Sequence, residues 1–358
     1  MICFYKYWYK QFFKFFCIIQ SVLIILFMFI DYFSRMERFL NAKLSITTSI
    51  IYIGLKVPFM FVQFVPASVL LTAIIVFGLM NKNNELLAIK SSGISLYSLL
   101  KPAFISGVIL TMVMFFVGET IAPITMAKSN HIKYTVIKKS RNLLSARKDL
   151  WIKSGNQLVH INFYNPVKQI ISGITITALG KNFEIESRID AKKGYFRSKK
   201  WMFKDVIEQI QSKDFMDYDI KSYDTKHIPL DFLPEDLMEL SKKSEEMSYI
   251  QLKKYVSKVE KEGYDATTYK VDLHTKIAFP FICIIMVLTG AAAGMSSFVK
   301  ANLSFGIAAG LVIAFMYWVM YGICTSMGYG MILLPFISAW AANLFFLSFV
   351  ILYLIRTE

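Results

Sequence analysis

The sequence is poor in the residues and motifs with which proteins carry out chemistry. Its 358 residues include only four cysteines and four histidines. No G-x-x-x-x-G-K-[ST] phosphate-binding loop, H-E-x-x-H, G-x-S-x-G or C-x-x-C motif occurs along the chain. We therefore expect a chain that binds no cofactor or metal, hydrolyses no ATP itself and carries out no nucleophilic catalysis. We also expect no nucleic-acid partner.

Cysteine is confined to apolar surroundings. Cys3, Cys17, Cys283 and Cys324 lie in or beside long apolar runs, and the polar middle of the chain has none. A disulfide framework is therefore not predicted, and cysteine usage leaves the redox compartment open.

Charge is missing from long stretches. Residues 301–355 contain no Asp, Glu, Lys or Arg, although the chain carries 40 basic and 25 acidic residues. A membrane span needs about 20 residues, so this stretch must fold back once. Gly328 and Gly330 favour a turn there. This predicts spans near 303–324 and 332–355.

Four further apolar runs complete the membrane part. Residues 277–299 lie between Lys276 and Lys300, and the other runs cover 15–33, 57–80 and 103–127. The first follows Lys6, Lys10 and Lys14 like a secretory signal, but no A-x-A-like cleavage site follows, which predicts a retained anchor. Six transmembrane helices are predicted, three on each side of a polar insert.

Basic residues in the short loops predict the orientation. With the N-terminus inside, eight Lys and Arg lie on the cytoplasmic side: Lys6, Lys10, Lys14, Lys82, Lys90, Lys101, Lys300 and Arg356. Four lie on the other side: Arg35, Arg38, Lys43 and Lys56. This balance predicts that the large insert is extracytoplasmic.

The insert, residues 128–245, has the two-residue period of half-buried strands. Val159, Ile161 and Phe163 alternate with His160, Asn162 and Tyr164; Phe183, Ile185 and Ile189 alternate with charged residues; Ile174 and Ile176 alternate with threonines, and Trp201 and Phe203 with lysines. Turn-forming residues separate the runs. The pattern predicts a sandwich, a jelly roll or an open barrel.

A helix is predicted to return the chain to the membrane within the linker 246–276. Ser248 and Gln251 form a capping-box pattern, and Gly263 suits the C-terminal cap. Its apolar stripe consists of Leu252, Tyr255, Val256 and Val259. The stripe either braces the helix against the strand domain or forms a docking surface.

Within the spans, small residues and a few charges stand out. GAAAG (290–294) and GIAAG (306–310) permit close helix packing; a moving gate is the alternative interpretation. Asp31, Lys56 and Glu119 lie in or at the borders of spans, where an unpaired charge is costly. We expect partial hydration of Glu119, with a proton relay as the alternative.

Four stretches, taken in order, resemble one known family. They are NNELLAIKSSGISLYSLLKP after the second span, LWIKSGNQLVHI opening the insert, GYDATTYKVDLHTKIAFPF entering the fourth span and LLPFISAWAANLFF in the sixth. From about residue 10 to the C-terminus, the chain is similar to the lipopolysaccharide export permeases of the LptF/LptG family. LLPFISAWAANLFF and PFICIIMVLTG look more like its LptG branch, although Ala342 stands where many relatives have proline.

The resemblance implies an α-helical membrane protein of the bacterial inner membrane, with six transmembrane helices (1–127 and 277–358) and an inserted periplasmic jelly-roll-like β domain. It implies a heterodimer with a second permease, a cytoplasmic LptB-like ATPase dimer that binds ATP and Mg, and LptC-like and LptA-like bridge proteins. It further implies a cytoplasmic coupling segment at 81–101 that docks on the ATPase through Glu85, Leu86, Leu87, Ile89, Gly93 and Ile94.

The substrate implied by the resemblance is lipopolysaccharide. The implied contacts are Arg35, Arg38 and Lys43 with lipid phosphates, and Val159, Ile161 and Phe163 with acyl chains. Ordinary snorkelling of the basic side chains is an alternative. An ion-coupled secondary transporter using Asp31 and Glu119 and the permease of another ABC exporter are alternative functions. A membrane enzyme would need a catalytic cluster, which the sequence does not offer.

Overall fold

A computed structural model describes residues 2–42, 44–133, 147–154, 156–165, 170–180, 184–197, 200–211, 218–230, 243–261, 263 and 265–356. The chain divides into two compact units. A membrane unit comprises Met1–Met36, Thr47–Ser129 and Ser244–Glu358, and a strand unit comprises Glu37–Ile46 and Asn130–Lys243.

The helices before the insert follow the apolar runs closely. They are α1 (Ile2–Asn41), α2 (Ile46–Gly54), α3 (Val57–Lys82), α4 (Glu85–Ser91), α5 (Leu96–Phe116), a π-helix (Val117–Ile121) and α6 (Ala122–Ile132). Pro58 falls in the first turn of α3, where its missing N–H costs no helical hydrogen bond.

The helices after the insert begin with a short 3-10 turn (Ser244–Glu246). They continue with α7 (Tyr249–Lys261), α8 (Thr267–Gly294), α9 (Ser297–Ala301), α10 (Leu303–Tyr329) and α11 (Pro335–Arg356). The uncharged stretch folds back between α10 and α11, next to Gly328 and Gly330, as predicted.

Six helices of the described chain are long and apolar enough to cross a membrane. They are span 1 (Phe4–Asn41), span 2 (Val57–Lys82), span 3 (Ser98–Ile132), span 4 (Thr267–Gly294), span 5 (Leu303–Tyr329) and span 6 (Pro335–Tyr353). The prediction of six transmembrane helices is confirmed. Span 3 joins α5, the π-helix and α6, and span 4 begins ten residues before the uncharged run because its first turns are amphipathic.

Spans 2 and 4 form the centre of the membrane unit. A Cβ on Gly290 would lie 2.5 Å from the Leu70 carbonyl oxygen, so only glycine lets the two backbones approach this closely. A Cβ on Gly310 would meet Ile74 at the same distance. Both small-residue patterns therefore pack against span 2, as close helix packing predicts.

The strand unit contains one antiparallel sheet between the two groups of spans. Its strands are β1 (Arg147–Ser154), β2 (Gln157–Asn165), β3 (Ile170–Leu179), β4 (Ile185–Arg197), β5 (Lys200–Gln211) and β6 (Tyr218–His227). Each strand pairs with its neighbours in the chain, in the order β1 to β6. The inserted β domain is confirmed. The described strands form an up-and-down meander, and among them no Greek-key crossover occurs.

A transverse row of unpaired positions crosses this sheet. The β2–β3 ladder pairs Ile161 with Ile174 and Phe163 with Ser172, and it passes over Asn162 and Gly173. Gly173 has a φ of 71°, the left-handed conformation that glycine adopts without strain. In the β4–β5 ladder, Asp205 is the unpaired position that belongs to the same row, and it has a φ of 54°. Across this row, the alternation between core-facing and outward-facing residues therefore shifts by one position on several strands.

This phase change corrects one prediction. Val159 and Ile161 are completely buried in the strand core, as their alternation predicts, but the next core residue is Tyr164 and not Phe163. Phe163 is half-buried and lies between Lys148 and Ser172 in the ladder. Burial raises the pKa of the Tyr164 hydroxyl to about 12. The apolar face thus includes Val159 and Ile161 and excludes Phe163.

The returning helix α7 has the predicted cap. The Ser248 N–H donates to Gln251 Oε1 (3.1 Å) and the Gln251 N–H donates to Ser248 Oγ (3.3 Å), which is a capping box. The predicted stripe is buried. It packs against α8, within the membrane unit.

Candidate functional site

The segment between spans 2 and 3 folds as a short helix bounded by two residues with positive φ. Asn84 (φ 59°) precedes α4 and Gly93 (φ 76°) follows it. The Asn83 side-chain amide donates to Glu85 Oε1 (3.3 Å), so the carboxylate lies at the start of the helix, where the helix dipole favours it. The sequence predicts this helix because its Leu and Ile residues have helical spacing between turn-forming residues.

The leucines of α4 face opposite environments. Leu86 is buried in the core of the membrane unit, and Ile89 packs against the same core. Leu87 is 61% exposed. Glu85 and Ile94 are half-buried and Gly93 is exposed. Of the apolar pair Leu86 and Leu87, only Leu87 is available to another protein.

Sequence reasoning missed a second exposed apolar residue at this end of the spans, which we call the α4 end. Asn81, at the end of α3, donates to the carbonyl oxygens of Gly294 (3.4 Å) and Ser296 (3.1 Å), so spans 2 and 4 finish together. Phe298 follows in the short helix α9 and is 74% exposed. The sequence does contain a signal for this exposed residue, namely an aromatic side chain between Ser297 and Lys300 in a short connection between two spans.

At the opposite end, which we call the α7 end, Asp31 of span 1 holds two cations. Its carboxylate accepts from Arg35 Nε (2.8 Å) and from Lys56 Nζ (2.7 Å). Lys56 also lies over the ring of Tyr52, 4.6 Å from its centroid. One carboxylate and two cations leave a net positive charge. A buried carboxylate would be costly without such partners.

The three predicted phosphate contacts therefore differ in their surroundings. Arg35 is partly buried and paired with Asp31. Arg38, three residues on in α1, is exposed and forms no ion pair with any residue that the structure describes. Lys43 lies outside the described residues. Of the two predicted contacts that the structure describes, Arg38 is the one that is exposed and not paired with another described residue.

Spans 1 and 5 bury the smallest share of their most apolar stretch within the chain, 11% and 22%. Near its α7 end, span 5 carries an apolar groove of about 550 Å³, lined by residues that include Trp318, Gly322, Ile323, Met327 and Ile332. A soluble protein would hide such surfaces, whereas lipid or another membrane protein can cover them.

Comparison with known proteins agrees with these features. The family described as "Lipopolysaccharide export system permease LptF/LptG" matches residues 6–356. The chain belongs to the LptF/LptG family. It is 23% identical over 273 residues to the lipopolysaccharide export system permease protein LptG of Escherichia coli K12, covering 75% of this chain and 74% of the relative. LptG of Escherichia coli O6:H1 matches with the same identity and coverage. An LptF/LptG permease with six apolar helices and an inserted β domain is a multi-pass membrane protein.

Proposed function

We propose that this chain is the permease subunit of an ABC transporter that extracts lipopolysaccharide from the bacterial inner membrane and passes it to a periplasmic bridge. The observation that carries the proposal is α4, a short helix between two spans that presents Leu87 to solvent. Because the chain has no phosphate-binding loop, its motion must come from a partner through a contact surface. An exposed leucine next to the carboxylate of Glu85 suits such a contact.

The proposed partner at the α4 end is a cytoplasmic LptB-like ATPase dimer, which would bind the ATP and Mg. Leu87 is the proposed apolar anchor, with Glu85 beside it. Phe298 is proposed as a second contact, because exposed aromatic residues are enriched among interface anchors. Leu86 and Ile89 would transmit force, since they belong to or pack against the hydrophobic core of the membrane unit.

The proposed substrate site lies toward the α7 end and in the strand unit. Arg38, which is exposed and pairs with no residue in the described part of the chain, is the proposed phosphate contact. Arg35 would contribute through the net positive charge that it shares with Lys56 and Asp31. The exposed sides of spans 1 and 5 would face a second permease and the acyl chains. The apolar face with Val159 and Ile161 would continue toward LptC-like and LptA-like bridge proteins in the periplasm.

Within the family, we propose an LptG-type subunit, supported by the two LptG relatives. Replacement experiments in cells depleted of LptG or of LptF test this directly. Restored growth in the LptG-depleted cells alone is expected. Growth restored only in LptF-depleted cells would reverse the assignment.

The ion-coupled alternative loses its two candidate carriers. Asp31 is held by Arg35 and Lys56, and the Glu119 carboxylate accepts hydrogen bonds from backbone N–H groups. Both carboxylates already have partners within the chain, which favours the ATPase-driven permease.

Co-purification tests the proposal. Leu87→Asp should lower ATPase binding by roughly thirtyfold or more, the effect typical of an interface anchor, while the spans still insert. Lys90→Ala, on the same helix, is the matched control and should retain the ATPase. If Leu87→Asp keeps the ATPase bound with full lipid-stimulated hydrolysis, α4 is only a connection between spans.

A further inference from the structure

Span 3 is interrupted by a π-helix at the position of its carboxylate. Glu119 is the middle residue of Val117–Ile121. A π-helical turn inserts one extra residue into an α-helix and redirects the side chains around it. The Thr120 hydroxyl donates to the Phe116 carbonyl (2.5 Å), and the Thr125 hydroxyl to that of Ile121 (3.1 Å). The irregular turn is therefore supported by its own side chains.

The redirected carboxylate binds the first turn of α7. Glu119 Oε2 accepts from the Tyr249 N–H (2.6 Å), and Oε1 accepts from the Ile250 N–H (3.4 Å). The first N–H groups of a helix have no partner within it. The third, on Gln251, is satisfied by Ser248. A residue 130 positions upstream thus completes this helix start, and we call Glu119, Tyr249 and Ile250 the latch.

The other end of α7 is fixed to span 4. Tyr255 and Tyr269 pack edge to face with ring centroids 4.8 Å apart, and Glu260 pairs with Lys270 (2.5 Å). Leu252 is fully buried on the same stripe. The helix therefore ties span 3, through its first turn, to the beginning of span 4, through its body.

Polar groups surround the latch. Lys276 of span 4 is close enough to interact electrostatically with Glu119, Asp272 and Glu245. The Tyr329 hydroxyl of span 5 donates to Asp272 (2.6 Å). If the backbone hydrogen bonds of Glu119 break, Lys276 remains as a partner, so the carboxylate is not left alone in an apolar environment.

The two attachments of α7 differ in kind. The attachment to span 4 buries apolar surface. Separating α7 from span 4 would expose that surface to water, which is unfavourable. Glu119 attaches α7 to span 3 by two hydrogen bonds, which water can replace at a smaller cost than exposing the apolar stripe. If spans 3 and 4 move apart at the α7 end, the latch is the part that opens.

We infer that Glu119 is a positioning residue that holds α7 to span 3, and that this latch opens and closes as the spans move during the nucleotide cycle. The opening step rests on the proposed function, because it requires the partner ATPase. The anchoring step does not.

Amide hydrogen exchange in the full-length chain, reconstituted in lipid nanodiscs, tests the anchoring step. In Glu119→Ala, the peptide containing Tyr249 and Ile250 should exchange roughly tenfold faster or more, because charge-assisted hydrogen bonds to those amides are lost. Glu119→Gln should give an intermediate rate and guards against misfolding of the alanine variant. Gln251→Ala, which removes only the acceptor of the Ser248 N–H, is the matched control. Equal rates in Glu119→Ala and wild type would overturn the anchoring.

The opening step is tested in the complex with its ATPase, with and without ATP plus vanadate. Wild-type exchange at Tyr249 and Ile250 should differ at least threefold between the two conditions, whereas Glu119→Ala should exchange fast in both. If the wild-type exchange rate is the same with and without nucleotide, in a complex that hydrolyses ATP, Glu119 is a static cap and the opening step is overturned. Failure of the ATPase to bind at all would instead refute the proposed function and the opening step, and leave the anchoring to the first experiment.

Discussion

The short helices α4 and α7 both connect elements at the ends of the spans, yet they treat their apolar residues differently. Helix α7 buries its whole stripe of Leu252, Tyr255, Val256 and Val259. Helix α4 buries Leu86 and exposes Leu87. A single exposed leucine is common on proteins. The exposure of Leu87 is significant because Leu86 and Ile89 anchor α4 in the core and because Phe298 is exposed at the same end of the spans.

The difference separates a helix that is an internal part of the membrane unit from one that keeps a face open for the proposed partner. Helix α7 is fixed by contacts to spans 3 and 4 within the chain. Helix α4 has one face fixed and one face free, which is the arrangement needed to pass motion from outside into the spans.

The largest expected effect comes from exchanging the two leucines of α4 for a charge. Leu86→Asp places a carboxylate in the apolar core and should destabilise the membrane unit by about 3–5 kcal/mol. Leu87→Asp should change the stability by less than about 0.5 kcal/mol, since the position faces solvent. Thermal unfolding in one detergent measures both. Equal losses of stability would show that α4 has no free face.

A smaller effect is expected from the stripe of α7. Leu252→Ala should cost roughly 2–5 kcal/mol of local stability, because it leaves a cavity against α8. Proteolysis between the strand unit and span 4 follows the opening of this helix. The exposed neighbour change Lys253→Ala is the control, and a similar cleavage rate in both variants would contradict the packing.

Changing the charged group at the α7 end of span 1 should lower the stability by a smaller amount. Asp31→Asn leaves Arg35 and Lys56 without a counter-ion and should cost on the order of 1–3 kcal/mol, less than a fully buried pair because Arg35 reaches solvent. Arg38→Gln serves as the control, with an expected cost near zero. Unchanged thermal stability of Asp31→Asn would mean that the two cations are solvated independently.

The smallest effect concerns the junction between α7 and α8. Hydrogen bonds from the Thr267 side chain and N–H hold the pKa of the exposed Asp265 carboxyl below its usual range. A lowered folded-state pKa means that the stabilisation is complete above the ordinary value of the carboxyl and is lost as the pH falls through the lowered one. Pepsin cleavage at 263–267 should therefore increase as the pH is lowered toward 2. Asp265→Ala should be cleaved faster than the wild type over the whole pH range. If cleavage of this variant responds to pH as strongly as that of the wild type, the Asp265 carboxyl is not the cause of the pH response.

The sequence predicts much of the membrane unit because span length and loss of charge are local signals. The fold-back at Gly328 and Gly330 and the capping box at Ser248 also depend on neighbours within a few residues. These features hold in the structure.

The remaining features depend on distant parts of the chain. Tyr164 replaces Phe163 in the core because Gly173 and Asp205, on other strands, change the phase of the whole sheet. Glu119 finds its partner 130 residues away, and a π-helix that no local motif indicates directs it there. Which of Leu86 and Leu87 is exposed depends on how α4 packs against span 2 and the core of the membrane unit.

Site-specific photo-crosslinking at α4 tests the central claim most directly. A benzoylphenylalanine at position 87, in the assembled complex, should crosslink to the ATPase, and the same probe at the exposed Phe298 should do so to a comparable extent. A probe at Ile94, half-buried at the end of the segment, provides the comparison and should crosslink less. Crosslinking at position 87 to lipid alone, with the ATPase present in the complex, would contradict the assignment of α4 as the contact through which this permease is driven.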